Sequence, residues 1–556
     1  MHVNQFRNMR KQKWIRGLIS ESHMIRTNGV VENMDQQSAS PLDEDVQTLS
    51  SMGYKQELSR RIGGFSNFAV SFSLVCVLAG GITAFPNALS AGGPFSATIG
   101  WLIGGLFAVV VACSMGQIAS AYPTAGGLYH WSSILGGRAW GWTTAWFNLV
   151  ALIFTTASVD VGAYQIFTNS FLRDLFRIQL AWNSAFTIWG LSVNPCQLLI
   201  VLLILFSQAL FNHFGIRLTS LLTDFSGYLI FTVTILLTAS ILFFGATHNF
   251  ASIFQFTNNT GQPGGIYPQM RSPLVAFLLG LLFPMYTIAG YDASAHTAEE
   301  TVNARVAVPR AMLHAVLWSV VLGFAMTISF ISVAPDLHAL AAAGSQSWFV
   351  LFNQLPIPWW LRMTLVTLLV IVNYLCGLAA ITSTSRMVYA FARDHGLPFS
   401  ARLKSVSPTY RTPVTAIWFT ALLSFAVTLY SPAFAALSAG SVVFLYISYA
   451  MPVGAGLLAE GKTWTIFGPF RLGRLSKPFA MITIAGVLLL IYAGVQPPSD
   501  IILNYAVGLG AVLLLLWLLR ERHQFQGPPM KQRFEKSKEP GSAMSLQETE
   551  VAISQD

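Results

Sequence analysis

The stretch Phe277 to Glu300 concentrates the chemistry of this chain. It opens as an apolar run, meets Pro284, and passes Thr287, Ala289 and Gly290, which hold a helix poorly. It then collects Asp292, His296, Glu299 and Glu300. An acid deep in an apolar span is expensive and by default functional. A second weak run, Leu78 to Thr83, carries Gly80 and Gly81 and interrupts the first apolar segment. Interruptions in corresponding positions of two halves are the sequence pointer to a midplane binding site in secondary transporters.

A broken helix exposes N–H and C=O groups that have lost their helical partners. The positive end of a half-helix also favours a carboxylate. Gly80, Gly81 and Ile82 are therefore candidates to hold the carboxylate of a dipolar solute. Thr287, Ala289 and Gly290 are candidates for its ammonium, with Asp292 just beyond. A Tyr286 ring can cover the solute and make a cation–π contact. The same glycines serve equally for close helix packing, and Tyr286 for ordinary core packing.

Asp160 and Asp224 are the other acids inside apolar spans, and either can carry a coupling proton. Thr155, Thr156 and Ser158 can instead satisfy Asp160, and Asp224 beside Thr223 reads also as a hydrated helix end. Glu299 and Glu300 fall on the same side as Arg60, Arg61, Arg386 and Arg393. A carboxylate–arginine latch closing an inner gate fits that grouping; a solvated helix end is the alternative.

These residues need elements to hold them. The chain of 556 residues is 54% hydrophobic and 10% charged, against about 25% charged in ordinary globular domains. Apolar runs of about 20 residues, the length that crosses a bilayer core, recur throughout. Twelve spans can be drawn, from Phe65–Ala91 through Leu274–Ala298 and Val414–Tyr430 to Ile501–Leu519. The fold class is an all-α polytopic membrane protein with twelve transmembrane helices. The repeats cover 65–245 and 274–459, each opening on an interrupted helix, and two extra helices cover 479–519. Five spans per half imply opposite insertion of the two halves.

The net charge of +9 reports orientation rather than nucleic-acid binding. Only Arg173, Arg177, Arg271 and Arg362 of the 32 Lys and Arg fall in one set of alternate loops. This is the positive-inside pattern, and it puts both termini in the cytoplasm. Residues 1–58 and 523–556 read as disordered polar tails around a transporter domain over 59–522. The four cysteines have neither metal-ligand nor disulfide-framework spacing. No HExxH, GxSxG, P-loop or paired CxxC is present, so an embedded enzyme lacks a motif.

Several motifs together resemble the amino acid–polyamine–organocation permeases, in the branch of fungal GABA and choline permeases and a plant bidirectional amino acid transporter. Gly290 to His296 (GYDASAH), with Glu299, Glu300, Pro309 and Arg310, is similar to the sixth-helix region of that family. Ser71 to Thr83 resembles its first helix, and Tyr122 to Tyr129 (YPTAGGLY) its loop after helix two. Asn212 with Gly215 to Arg217 resembles its link into helix five, and Ser383 to Asp394 the end of helix eight. The resemblance covers about 58–520. It implies a LeuT-like fold of five-plus-five inverted repeats and two outer helices. It also implies amino acid or amine transport by alternating access, commonly with protons. Carboxylate binding then falls at the helix-one break, and amine binding at helix-six carbonyls with Tyr286 as aromatic gate. Some relatives carry a helix-five lysine in place of a coupling sodium; the fifth span here has none. Thr382 and Ser383 are candidates for an ion site. The expected coupling ion is the proton, with sodium as the alternative, and no other cofactor is expected. The expected partners are a small amine, γ-aminobutyrate among the candidates, and the bilayer of a plasma or bacterial inner membrane. A receptor that binds in the same pocket without transport is the alternative function.

Overall fold

The computed structural model describes residues 41–180, 183–188, 191–429 and 433–529. The expected tail segments 1–40 and 530–556 lie outside the described residues. The described residues begin with α1 (Pro41–Ser51), α2 (Gly64–Val75), α3 (Val77–Thr83) and α4 (Phe85–Leu89). It continues through α5 (Gly93–Ala121), α6 (Leu128–Gly136), α7 (Arg138–Ile166), α8 (Pro195–His213) and α9 (Ile216–Phe244). After a long loop come α10 (Pro273–Gly280), α11 (Leu282–Thr287), α12 (Ala293–His296) and α13 (Ala304–Val333). Then follow α14 (Leu337–Ala342), α15 (Ser347–Gln354), α16 (Trp359–Arg393), α17 (Ser400–Leu403) and α18 (Val414–Val427). The last four are α19 (Ala433–Ala459), α20 (Ser476–Gly494), α21 (Ile501–Leu516) and the short α22 (Arg522–Gln524).

Among the described residues ten helices are long and apolar enough to cross a membrane. The spans expected at Leu274–Ala298 and Val414–Tyr430 appear as shorter apolar helices, Pro273–Thr287 and Val414–Val427. Local chemistry sets many ends. Asn194 caps α8 by accepting from the Gln197 N–H at 3.2 Å, with Pro195 at the first helical position, where its missing N–H costs nothing. Gly137 (φ +104) and Gly215 (φ +121) make the tight links into α7 and α9, in a region of φ that L side chains avoid.

The centre of the bundle packs α5 on α13, and α7 on α16 and α19. Trp101, Trp131, Trp142, Tyr291 and Tyr449 are fully buried there. By contrast Leu503, Leu514, Leu515 and Leu519 at the end of the chain are exposed, as expected of an outer helix whose solvent is lipid.

Two expectations need correction. The all-α description misses a short antiparallel hairpin, Phe186–Ile188 with Leu191–Val193, outside the expected spans. The tails are also shorter than expected. Residues 41–58 are folded onto the bundle, with Leu49, Met52 and Leu58 buried. At the other end Phe525 is buried against Tyr129, Phe391 and Trp517. These tail residues are too sparse in apolar side chains to show a period, so only their docking partners order them.

Asp45 in α1 does a second job. Its oxygens accept from the Asn303 N–H at 2.6 Å and the Ala304 N–H at 3.1 Å, two of the unpartnered donors that start α13. Arg60 lies 3.5 Å from the same carboxylate. In Asp45→Ala the docking of residues 41–58 should weaken by about 1–3 kcal/mol. Amide hydrogen exchange there should accelerate at least about fivefold. Unchanged exchange would mean that Leu49, Met52 and Leu58 hold the segment without the carboxylate.

Candidate functional site

The first apolar helix does break, but not where its glycines suggested. The interruption is Cys76, at φ 29 and ψ 80, between α2 and α3. A non-glycine residue there carries strain of about 1–3 kcal/mol. The ladder runs unbroken through the expected site: the Gly80 N–H donates to the Cys76 carbonyl, and the Gly80 carbonyl accepts from the Ala84 N–H. The peptide groups without helical partners therefore belong to Val77, Leu78 and Ala79 at the start of α3, and to Ser73, Leu74 and Val75 at the end of α2. Gly80 and Gly81 are contact points. A Cβ on Gly80 would lie 2.8 Å from the Thr287 Cα, and one on Gly81 2.2 Å from the Met326 Cε. The packing reading of these two glycines is the one their geometry supports. Ile82 is buried in the same helical turn.

The second break lies where the sequence put it. α11 stops at Thr287, and the chain is non-helical from Ile288 to Asp292. Gly290 takes φ +88, a conformation that favours glycine. Among the described residues the Ala289 N–H and C=O find no hydrogen-bond partner. The other exposed groups are served by side chains. The Gly290 N–H donates to the Tyr449 hydroxyl at 3.1 Å, and the Tyr291 carbonyl accepts from Ser71 at 2.7 Å.

The two broken helices run antiparallel in a fixed register. Gly80 faces Thr287, and a Cβ on Gly290 would lie 2.8 Å from the Leu74 Cγ. Ser71 meets Tyr291 and Ser294. Asn67 donates to Ser294, Thr297 and Thr301. Each step back along the first helix is a step forward along the second, and the two breaks come out side by side.

Asp292 is fully buried and does not face open space. Its Oδ1 accepts from the Tyr449 hydroxyl at 2.7 Å. Its Oδ2 is 3.2 Å from His296 Nε2 and 3.4 Å from Asn148 Nδ2. Tyr286, half-buried, donates to Ser158 at 3.0 Å. It lines a cavity of about 110 Å³ together with Thr83, Asn87, Gln165 and Ser438. That is below the roughly 300–1,000 Å³ of drug-sized ligand sites and suits a small polar solute. A larger groove, about 550 Å³, lies on the outer face by Arg310 and His314, away from both breaks.

The remaining candidates separate into distinct settings. Asp160 is fully buried; its Oδ1 accepts from Gln208 Nε2 at 2.9 Å. Its Oδ2 has no partner among the described residues. Gly377 presses on this pair, since a Cβ there would sit 2.2 Å from Asp160 Oδ1. The next residue back, Cys376, donates to the Leu74 carbonyl at 3.4 Å, one of the groups freed by the Cys76 break. Asp224 is half-buried and accepts from Ser66 at 2.8 Å. The Thr382 hydroxyl donates to Asn212 Oδ1 at 2.8 Å, so it ties helices together. The Ser383 hydroxyl is buried without a partner among the described residues.

The far end of the pair of broken helices is sealed. Arg386 forks onto Glu300 at 3.0 and 3.3 Å, and Arg393 forks onto Glu299 at 2.9 Å through both amino nitrogens. Removing one partner from a buried pair costs about 3–5 kcal/mol. Arg60 does not join the glutamates; it donates to the carbonyls of Ala298 and Thr301. Arg61 contributes its backbone N–H to the Glu300 carbonyl, and its side chain is exposed. The Arg393 guanidinium also sits 3.8 Å over the Tyr54 ring. Tyr54 and Tyr129 each donate to Asp394 Oδ2 at 2.7 Å. Burial pushes the Asp394 carboxyl above its ordinary range, against the pull of Arg393 and the two tyrosines.

The sequence pointed to the acids and the second break but not to the residues that serve them. Tyr449, Asn148 and Cys76 carried no signal. Asn67 and Ser71, four apart on one face of an apolar helix, were a readable signal of polar partners across the interface.

Two measurements follow from these contacts. Gly80→Ala meets backbone that cannot move aside, and should destabilise the protein by about 1–3 kcal/mol. Gly81→Ala meets the flexible end of Met326 and should cost about 1 kcal/mol or less. Equal losses in thermal midpoint would show that Met326 is as fixed as the Thr287 backbone. His130, buried beside Tyr54, has its pKa driven down to about 3 by burial and then by Arg393. Its unfolded value is about 6.5, so its share of stability is lost as pH falls from there towards 3. Between pH 7 and 5, His130→Phe should lose about 2 kcal/mol less than the wild type. Parallel losses would assign the acid sensitivity to other groups.

The amino acid permease family profile matches residues 62–517. The chain is 32% identical to the amino-acid permease BAT1 of Arabidopsis thaliana, over 89% of this chain and 98% of that one. It is 33% identical to the BAT1 homolog of Oryza sativa subsp. japonica, over 86% and 94%. It is 26% identical to the thiamine transporter thi9 of Schizosaccharomyces pombe, over 86% and 85%. With a match of that extent across both broken helices and the sealed end, this integral multi-pass membrane protein belongs to the amino acid permease family.

Proposed function

We propose that the chain is a secondary active transporter of an amino acid or related amine, γ-aminobutyrate included, working by alternating access with proton coupling. On this reading twelve spans form two inverted five-helix repeats plus two outer helices in a plasma or bacterial inner membrane. Both termini and the Arg386 end face the cytoplasm. One observation carries the reading: two antiparallel helices break side by side, leaving the N–H groups of Val77 to Ala79 beside the free peptide groups of Ala289. A half-helix N-terminus takes a carboxylate, and free carbonyls take an ammonium. The sealed Glu299–Arg393 and Glu300–Arg386 end, with the small cavity reaching Tyr286 from the opposite end, fits a form closed towards the cytoplasm.

Relatives named as amino-acid permeases favour an amino acid; the relative named as a thiamine transporter shows that likeness alone does not choose the substrate. The proton is favoured over sodium because Thr382 is engaged by Asn212. Asp160 is meanwhile buried one residue from the Cys376–Leu74 contact at the break.

The test is uptake of labelled amino acids and γ-aminobutyrate into proteoliposomes with an imposed proton gradient. Asp160→Asn should reduce gradient-driven accumulation at least about tenfold while counterflow exchange persists. Saturable binding without flux in the wild type would favour the receptor alternative, and full accumulation by Asp160→Asn would remove that acid from the coupling.

A further inference from the structure

His296 is held through both ring nitrogens. Its ring is fully buried, and both nitrogens face acceptors. Nδ1 lies 3.2 Å from the Ala125 carbonyl oxygen, and Nε2 lies 3.2 Å from Asp292 Oδ2. A carbonyl oxygen only accepts, so the Nδ1 contact requires a proton on Nδ1. A neutral imidazole with its proton on Nδ1 has a bare lone pair on Nε2. That lone pair would face an ionised carboxylate with nothing between them, and two buried acceptors in contact are unsatisfied.

We infer that Asp292 and His296 together hold a second proton between Oδ2 and Nε2, making the pair a proton-binding site beneath the break in the second interrupted helix. The charge balance is the same whichever atom carries it. The pair is either a neutral acid with a neutral imidazole or a carboxylate with an imidazolium; loss of the shared proton leaves one net negative charge. The surroundings supply no replacement. Tyr449 and Tyr446 face the pair from α19, Tyr291 from the unwound segment and Asn148 from α7. Among the described residues no lysine, arginine or third acid makes an ion pair with it.

The same atoms reach the peptide chain proposed to grip the substrate. Asp292 Oδ1 accepts from the Tyr449 hydroxyl, and that hydroxyl accepts from the Gly290 N–H. Loss of the shared proton leaves Nε2 and Oδ2 as two facing acceptors, and their repulsion pushes the carboxylate from the position in which Oδ1 meets Tyr449. The proton thus holds Gly290, and with it Ala289, in the conformation that exposes free peptide groups. This deepens the proton-coupled reading above and rests on it for its transport arm, but the proton count stands apart from any flux.

Solid-state NMR of the full chain labelled with ¹⁵N-histidine in lipid tests the count directly. The His296 signals are identified by their loss in His296→Gln. The expected spectrum has Nδ1 protonated and Nε2 in a strong hydrogen bond to a shared proton. A single proton on Nε2 with bare Nδ1 overturns the proposal, whether or not the protein transports anything. In proteoliposomes, Asp292→Asn places an amide N–H where the shared proton sits, mimicking the loaded pair. It should keep substrate binding within about threefold and lose gradient-driven accumulation at least about tenfold, whereas Asp292→Ala should lose both. Normal accumulation by Asp292→Asn also overturns it. Should Asp292→Asn fail to fold, the ¹⁵N spectrum of the wild type decides alone.

Discussion

Peptide groups inside a bilayer have no water to turn to, so every departure from helix must find its partners within the protein. Two of this chain's departures, at Cys76 and at Ile288 to Asp292, lie against each other. Ser71, Ser294, Asn67 and Tyr449 take up the groups that would otherwise be orphaned. What stays free, at the start of α3 and at Ala289, is confined to one place. The antiparallel register of the two helices is what confines it.

That register explains the glycines. Gly80 brings the first helix onto Thr287 without a side chain between them, and Gly290 does the same against Leu74. Each lets the backbones approach closely enough for short side chains such as Ser71 to bridge them. Gly377 repeats the device against the Asp160–Gln208 pair. Close approach and unwinding are different uses of one residue type, and this interface contains both: Gly290 unwinds, Gly80 packs.

The acids follow a similar division. Glu299 and Glu300 are neutralised by arginines from α16, so the sealed end is a matter of charge matched to charge in low dielectric,. Residues 41–58 lie over that end through Asp45, Tyr54 and Gln56. Asp292 and Asp160 have no arginine. Their carboxylate oxygens meet a histidine in one case and a glutamine in the other.

The sequence alone determined the membrane class and the break at Gly290. Those rest on hydropathy and on a residue type that only one conformation requires, both local properties. It also placed Glu299, Glu300 and Arg386 at one end, because most charge in such a chain falls at the ends of its apolar runs. It did not locate the first break. Gly80 and Gly81 looked like breakers, yet their ladder continues, and the unwinding falls on Cys76, whose residue type announces nothing. There the contacts are those of Leu74 with Cys376 and with Gly290, both hundreds of residues away in the chain. The partners of Asp292 and the folding of residues 41–58 were equally invisible. Burial by a distant helix leaves no periodicity in the segment being buried, and only the tertiary structure decides it.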